Sequence, residues 1–247
     1  MRLARKNHCL IPGYPTAHVW PRSSHRVQWA GTTLTIRKFH SRFFTAEELV
    51  RAGSLSPALL DSFRNAVVER RNILISGGTS SGKTTLLTAL AAYIPDQDRV
   101  VLIEDTSEVQ MIKPNLVRFE ARREQPGVPA VTIWDLLRAT LRHRPDRIIL
   151  GEVRGGEAFD LLQALNTGHS GTLSTVHANS AAQSLSRFTS CVLQSGVELP
   201  YQAIRANIAD AVQLVIHLEV GTAGALWLRH SGLSVSIRKR IGTSSSR

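Results

Sequence analysis

An α/β domain with a mostly parallel sheet and helices on both faces is the fold class this sequence predicts. Short apolar runs of strand length alternate with helical patterns from residue 72 onward. A glycine-rich loop joins one of those runs to a helix. Apolar residues make up 43% of 247, enough to build a sizeable core.

Taken in order, residues 1–31 are basic and rich in Pro, His and Trp without apolar periodicity, and read as loop or disorder. Thr32 to Phe39 (TTLTIRKF) alternates and is rich in β-branched residues, which predicts a strand. From Thr45 the pattern turns helical, with Glu48 at capping-box spacing, and a second amphipathic run covers Pro57 to Arg70. Strands are then predicted over Asn72–Ser76, Val100–Glu104, Arg147–Leu150 and Thr172–Val176. Helices are predicted over Lys83–Ile94 (stopped by Pro95), Ile133–His143 (capped by Thr132), Glu157–Asn166 (closed by Gly168) and Ser180–Ser195 (closed by Gly196). Residues 32–56 read as the end of a preceding domain and a linker, and 57–220 as the α/β domain. The atypical stretch 221–247, ending in GTSSSR, is expected to fray.

The net charge of +11 suggests nucleic acid until it is divided along the chain. Residues 1–40 carry seven Lys or Arg and no acid, and 221–247 carry five and no acid. The remaining 18 cations face all 19 acids between residues 41 and 220, so the core is neutral and direct nucleic-acid binding by it is not expected. Two cysteines, Cys9 and Cys191, make no disulfide framework and fit a reducing cytosol. No stretch approaches the roughly 18 apolar residues of a membrane span, and the N-terminus lacks the continuous apolar core of a secretory signal.

The segment GGTSSGKTT matches G-x-x-x-x-G-K-[ST], follows an apolar strand and opens a helix, which is the context the motif requires. Through Gly77, Gly78, Thr79, Ser80, Ser81 and Gly82 the backbone N–H groups can curl around phosphate oxygens, and the helix N-terminus adds partial positive charge. Lys83 would reach the β and γ phosphates, the Thr84 hydroxyl would ligate Mg²⁺, and Thr85 completes the loop. A glycine-rich turn capping an ordinary helix would have the same spelling, but it would not need the lysine. ATP and magnesium are therefore the expected ligands.

Phosphoryl transfer by positioning and charge neutralisation also needs a second metal contact and a group to orient water. Glu104 and Asp105 end the strand after the loop helix, and Glu152 follows the next apolar run. Ligands of open α/β sheets sit beyond the carboxyl ends of strands, so these acids would point toward the phosphates. Asp105 also reads as a turn former before Thr106. The Asp usual at the end of a magnesium-binding Walker B strand is absent from RIILGE, where Glu152 takes its place.

Four blocks in fixed order, GGTSSGKTT, VVLIEDTSEVQ, LRATLRHRPDRIILGEVRGGEA and TGHSGTLSTVHANSA, resemble the Walker A, Asp box, Walker B and His box of the secretion ATPase family. The phrasing is most similar to the conjugal transfer (TrbB-like) and tight-adherence pilus (CpaF-like) branches, and it covers about residues 32–218. The resemblance implies a RecA-like P-loop ATPase domain that assembles into a hexamer and clamps ATP between two domains. It further implies a motor working with secretion or pilus components at the cytoplasmic face of the inner membrane. By the same resemblance Lys83 and Thr84 hold phosphate and magnesium, Glu104 orients water, Glu152 supports the metal and His177 senses the γ-phosphate. Arg37, in TIRKF, matches the arginine that reaches the nucleotide from the N-terminal domain.

His177 also has its own logic, since an imidazole at a strand end can donate to a phosphate oxygen. His169, beside Gly168, reads equally as structural or functional. Arg138 and Arg142 are four apart and would share a helix face, with Arg144, Arg147 and Arg154 near in sequence. That group is either a solvated charged face or a set of forks for phosphate or a neighbouring subunit's carboxylates. The family carries a complete domain ahead of the TIRKF strand, where this sequence has about 30 residues, so a truncated remnant of that domain is expected. Rival readings are a nucleotide-binding remnant without turnover and a helicase-like ATPase.

Overall fold

The structure, a computed structural model, describes residues 44–219 in full and the backbone of 17–19, 36–38 and 233–237. The chain divides into two units, 1–43 and 44–247. In the first, β1 (Ala17–Val19) and β2 (Ile36–Lys38) pair antiparallel, with His18 opposite Arg37. The other residues of 1–43 lie outside the described residues, and 44–56, expected as the end of the preceding domain and linker, belong to the second unit.

In the second unit a seven-stranded sheet has the order β5-β4-β6-β7-β3-β8-β9. Its members are β3 (Ile73–Gly77), β4 (Val100–Glu104), β5 (Leu116–Glu120), β6 (Arg147–Val153), β7 (Leu173–His177), β8 (Leu214–Leu218) and β9 (Leu233–Ile237). The first six run parallel and β9 is antiparallel to β8. Continuous apolar strands suit such a sheet because both of its faces are covered. Residues alternate between the two faces: Ile73, Ile75, Val100 and Leu102 enter one cluster, and Leu74, Val101 and Ile103 the other. The first cluster is closed by α1 (Ala46–Arg51), α2 (Pro57–Val68) and α3 (Lys83–Ala91). The second is closed by α4 (Ile133–Thr140), α5 (Glu157–Asn166), α6 (Ala181–Leu193) and α7 (Tyr201–Ala211).

Local chemistry starts the helices where the sequence suggests. Thr45 Oγ1 accepts the Glu48 N–H while the Glu48 carboxylate accepts the Thr45 N–H, a full capping box. Thr132 and Asp135 repeat the device at α4. Ser56 caps α2, with Pro57 in its first turn.

Several expectations are corrected. β6 runs three residues past Leu150, and a β-bulge between Leu150 and Val153 holds Glu152 inside the strand rather than after it. α4 ends at Thr140 and passes into a 3₁₀ turn, Leu141–His143, closed by Arg144 at a φ of 48°. Arg138 and Arg142 therefore do not share one α-helical face. Arg138 instead stacks over Trp134, 4.6 Å from the ring centroid. Of the tail expected to fray, Leu233–Ile237 (LSVSI) is a strand whose β-favouring alternation extends the sheet, and the remainder lies outside the described residues. β5, α7 and β8 lie beyond the sequence prediction. β5 is a half-exposed edge strand, and its Arg118 reaches the Val109 and Met111 carbonyl oxygens at 3.0 and 2.7 Å.

The end of the sheet away from the glycine-rich loop is held by a buried ion pair. Arg147 is 1% exposed and donates through Nε to Asp98 at 2.6 Å and through NH1 to the Val67 carbonyl at 2.8 Å. Arg70 reaches the other Asp98 oxygen at 2.8 Å. Gly171 has to be glycine here, because a Cβ would lie 2.2 Å from Arg147 NH1 and its φ is +84°. Burial pushes the Asp98 carboxyl up, but the Arg147 hydrogen bond and the charges of Arg147 and Arg70 outweigh it and hold the carboxyl below its ordinary value. Arg147→Ala removes the buried half of this ion pair, leaving Asp98 only the more exposed Arg70, and should cost about 3 kcal/mol in denaturant unfolding. The stabilisation carried by Asp98 is complete above its unfolded pKa of about 3.9 and is lost as pH falls through the lower folded value. Asp98→Asn should accordingly flatten the acid limb of the stability curve below pH of about 4.

Candidate functional site

Strand register assembles the site. Gly77 at the end of β3 pairs with His177 at the end of β7 and with Leu218 of β8. β6 lies on the far side of β7 and β4 beyond it, so the carboxyl ends of four parallel strands line one edge.

The glycine-rich loop leaves β3 by a close approach that only glycine permits. A Cβ on Gly77 would sit 2.4 Å from Ser81 Oγ and 2.7 Å from the Leu218 carbonyl oxygen. Ser80 (φ 60°) and Gly82 (φ 90°) adopt left-handed conformations that turn the backbone around a concavity. Gly82 is the N-cap of α3 and offers no side-chain cap, so the first-turn N–H groups are available to an anion. Ser81 Oγ is buried without a hydrogen-bond partner among the described residues, a deficit that a phosphate oxygen would meet. Thr84 and Thr85, in the first turn of α3, are half-buried, while Gly78, Thr79 and Ser80 are exposed. The loop therefore fits a phosphate group. The Thr84 hydroxyl is an oxygen donor of the kind a hard cation such as magnesium would take.

Lys83 is 7% exposed, and its ammonium is anchored on the loop itself. Nζ donates to the Gly77 carbonyl at 3.1 Å and the Gly78 carbonyl at 2.6 Å, and it lies 3.3 Å from His177 Nδ1. Burial lowers its pKa, against the opposing charges of Glu152 and Glu108. A lysine ammonium has donors only, so Nδ1 of His177 must be the acceptor and the imidazole proton sits on Nε2. Nε2 lies 3.2 Å from Glu152 Oε1. Burial, helped by the charges of Lys83, Arg154 and Arg187 against that of Glu152, holds His177 below the ordinary histidine range and hence neutral.

The contacts continue from Glu152 to the next strand. Its Oε2 accepts from Arg154 NH2 at 2.9 Å, and Arg154 NH1 donates to Asp105 Oδ2 at 3.0 Å. Asp105 is thus tied across strands as well as standing in the turn. Glu104, the last residue of β4, is 5% exposed, and its Oε1 accepts the N–H groups of Glu108 and Val109 at 3.0 and 2.8 Å. Burial raises its pKa, opposed by those two N–H groups and by Arg118.

Of the four residues singled out for chemistry, Lys83, His177 and Glu152 stand in one chain of contacts. Glu104 lies at the same edge one strand further out, with Oε1 turned to its own loop. Arg37 is in β2, where the backbone alone is described. His169 precedes β7 at the opposite end of the sheet, where its backbone accepts from Thr172 Oγ1 and donates to Ala164. Arg147 is neither solvated nor near the loop. For Arg154 the sequence left open a solvated face or a fork for phosphate or carboxylates; the structure gives it two carboxylate partners in its own chain, Glu152 and Asp105.

A phosphate loop at the carboxyl edge of a parallel sheet, with a buried lysine and carboxylates on neighbouring strands, defines the P-loop class of α/β domains. Within that class the chain belongs to the type II/IV secretion system protein family, whose model matches residues 17–220. It is similar to the conjugal transfer protein TrbB of Rhizobium radiobacter, 40% identical over 194 residues that make up 77% of this chain and 57% of the relative. It is also similar to the type IV secretion system protein PtlH of Bordetella pertussis, 40% identical over 211 residues (76% of this chain and 62% of the relative). Among solved structures, the VirB11 ATPase from the Brucella suis type IV secretion system, in complex with sulphate, superposes with a TM-score of 0.64. It is 34% identical, and the match covers 84% of this chain and 66% of that one. The chain thus spans less than two thirds of the length of these curated relatives. The resemblance carried by the four motif blocks and the expected RecA-like α/β fold are both borne out. Among the described residues no helix is long and apolar enough to cross a membrane.

The histidine environment yields a direct test. By NMR, the His177 imidazole should titrate below the ordinary midpoint of about 6.5. Glu152→Gln should lower it further, since that carboxylate is the neighbour favouring the imidazolium.

Proposed function

We propose that this chain is the ATP-hydrolysing motor subunit of a type IV secretion, conjugal transfer or pilus assembly system, working at the cytoplasmic face of the inner membrane. The observation that carries the reading is the contact chain Lys83–His177–Glu152 at the mouth of the phosphate loop. The names of the relatives, conjugal transfer and type IV secretion proteins, support the choice of system.

Residues Gly77 to Thr85 bind the phosphates through backbone N–H groups, and Lys83 exchanges its loop carbonyls for β and γ oxygens. Magnesium, when bound, neutralises charge on those oxygens. The Thr84 hydroxyl holds it and Glu152 supports it. Glu104, whose raised pKa follows from burial, orients the water that attacks the terminal phosphorus as the bond to the ADP oxygen breaks. His177 reads the γ-phosphate: its Nε2–H is a donor, and a lysine drawn to phosphate releases Nδ1. Arg37 enters this reading only through its match to the family's nucleotide-binding arginine. The domain layout is an ATPase domain over 57–220, preceded by the linker 32–56 and the segment 1–31 and followed by the tail 221–247. The working form is a homo-oligomer, a hexamer, docked on secretion or pilus components at the membrane, with no direct role for nucleic acid.

Purified protein should release phosphate from ATP in the presence of Mg²⁺, with little or no turnover when the metal is chelated. Lys83→Ala, which removes the cation from the transition state, should lower the rate about 100-fold or more. Steady turnover by Lys83→Ala, or ATP binding by the unaltered chain without any phosphate release, would overturn the motor reading.

A further inference from the structure

The segment between β6 and α5 is built around a carboxylate that the roles above leave unused. Glu157, the first residue of α5, folds back so that its Oε1 accepts the backbone N–H of Arg154 at 2.6 Å and of Gly155 at 2.8 Å. Both donors belong to the turn that carries the Arg154 side chain out of the sheet. The other flank of that turn is pinned by packing: a Cβ on Gly156 would come within 2.9 Å of the Ser195 Cα, just beyond the end of α6. From this turn the Arg154 guanidinium reaches two carboxylates. It spans Glu152 Oε2 at 2.9 Å and Asp105 Oδ2 at 3.0 Å, joining the strand that carries the histidine's partner to the loop after β4. Arg154 itself is more than half exposed, so its own ion pairs are screened and would not fix its geometry unaided.

We propose that Glu157 is a positioning residue: its carboxylate oxygen sets the Arg154 turn, and through Arg154 it fixes the orientation of Glu152 and Asp105 at the phosphate edge. Glu157 touches none of the groups assigned to phosphate, metal or water. It acts two contacts away, through backbone N–H groups. An acid in the first turn of a helix also favours the helix dipole, a purely structural effect worth little to the site. The two roles separate because the dipole responds to charge whereas the turn needs an acceptor atom. Glutamine keeps an oxygen able to accept both N–H groups and discards the charge.

The inference rests on the ATPase reading for its kinetic arm only. Glu157→Ala should lower kcat for ATP hydrolysis about tenfold or more, the scale of a misplaced catalytic group. The KM for ATP should change little, because the phosphate loop is untouched. Glu157→Gln should restore most of the rate. Independently of turnover, amide hydrogen exchange in the unliganded protein should show the Arg154 and Gly155 N–H groups protected in the unaltered and Glu157→Gln chains and fast in Glu157→Ala. Should Glu157→Ala fail to fold, Glu157→Asp, too short to reach both donors, takes its place. The positioning role is overturned if both amides stay protected without the carboxylate. Glu157→Gln as impaired as Glu157→Ala, or a raised KM with unchanged kcat, also overturns it. A chain with no turnover at all removes the motor reading, and the exchange measurement then still decides the inference.

Discussion

A buried ammonium whose hydrogen-bond partners are two carbonyls and an imidazole is the constraint on which the phosphate edge is organised. Lys83 is 7% exposed, and removing its charge from water is costly unless polar partners replace the hydration. Gly77 and Gly78 provide two oxygens and His177 a nitrogen, and that third contact puts the imidazole proton on Nε2, the nitrogen 3.2 Å from Glu152 Oε1. Each link is an electrostatic consequence of the one before it. A phosphate entering the loop would compete for the first link, the lysine's bonds to the loop carbonyls.

The two ends of the sheet solve the problem of buried charge differently. Away from the loop, Arg147 and Asp98 are paired, bonded to backbone and sealed, with Gly171 leaving room for the guanidinium. Such a pair has no spare valence and serves to fix the start of β6. At the loop end the charges are only partly matched: the lysine leans on neutral acceptors, the histidine is held neutral and Glu104 is pushed toward protonation. Incomplete compensation at one edge and full compensation at the other is what separates a reactive site from a structural clasp.

The β-bulge in β6 joins the fold to this chemistry. Without the register shift between Leu150 and Val153, the regular pleat would continue to the strand end. With the shift, Glu152 stands between His177 at the end of β7 and Arg154, the residue just after β6. Gly151 beside it accommodates Glu104, whose Cγ would lie 3.1 Å from any Cβ there. The two glutamates are thereby packed side by side at the ends of adjacent strands, and Glu104 secures the loop that also carries Asp105.

Much was legible in the residues alone. Val100–Glu104 and Glu157–Asn166 have the observed boundaries, because a continuous apolar run and a helical pattern closed by Gly168 are strong local signals. The phosphate loop is legible for the same reason: its glycines answer local backbone demands. β5 and β8 were not, since an edge strand with outward polar residues and a short run ending in a buried histidine have no periodicity that marks them. Arg147 looked like one of a group of surface arginines, and only its distance to Asp98, 49 residues away in the chain, makes it a core residue. The sequence by itself determined the fold class, the family motifs and which residue types stand ready for phosphate. Tertiary structure alone decided which of them touch, because the register of β3 on β7 pairs residues 100 positions apart, as Gly77 with His177, and no local pattern encodes a register.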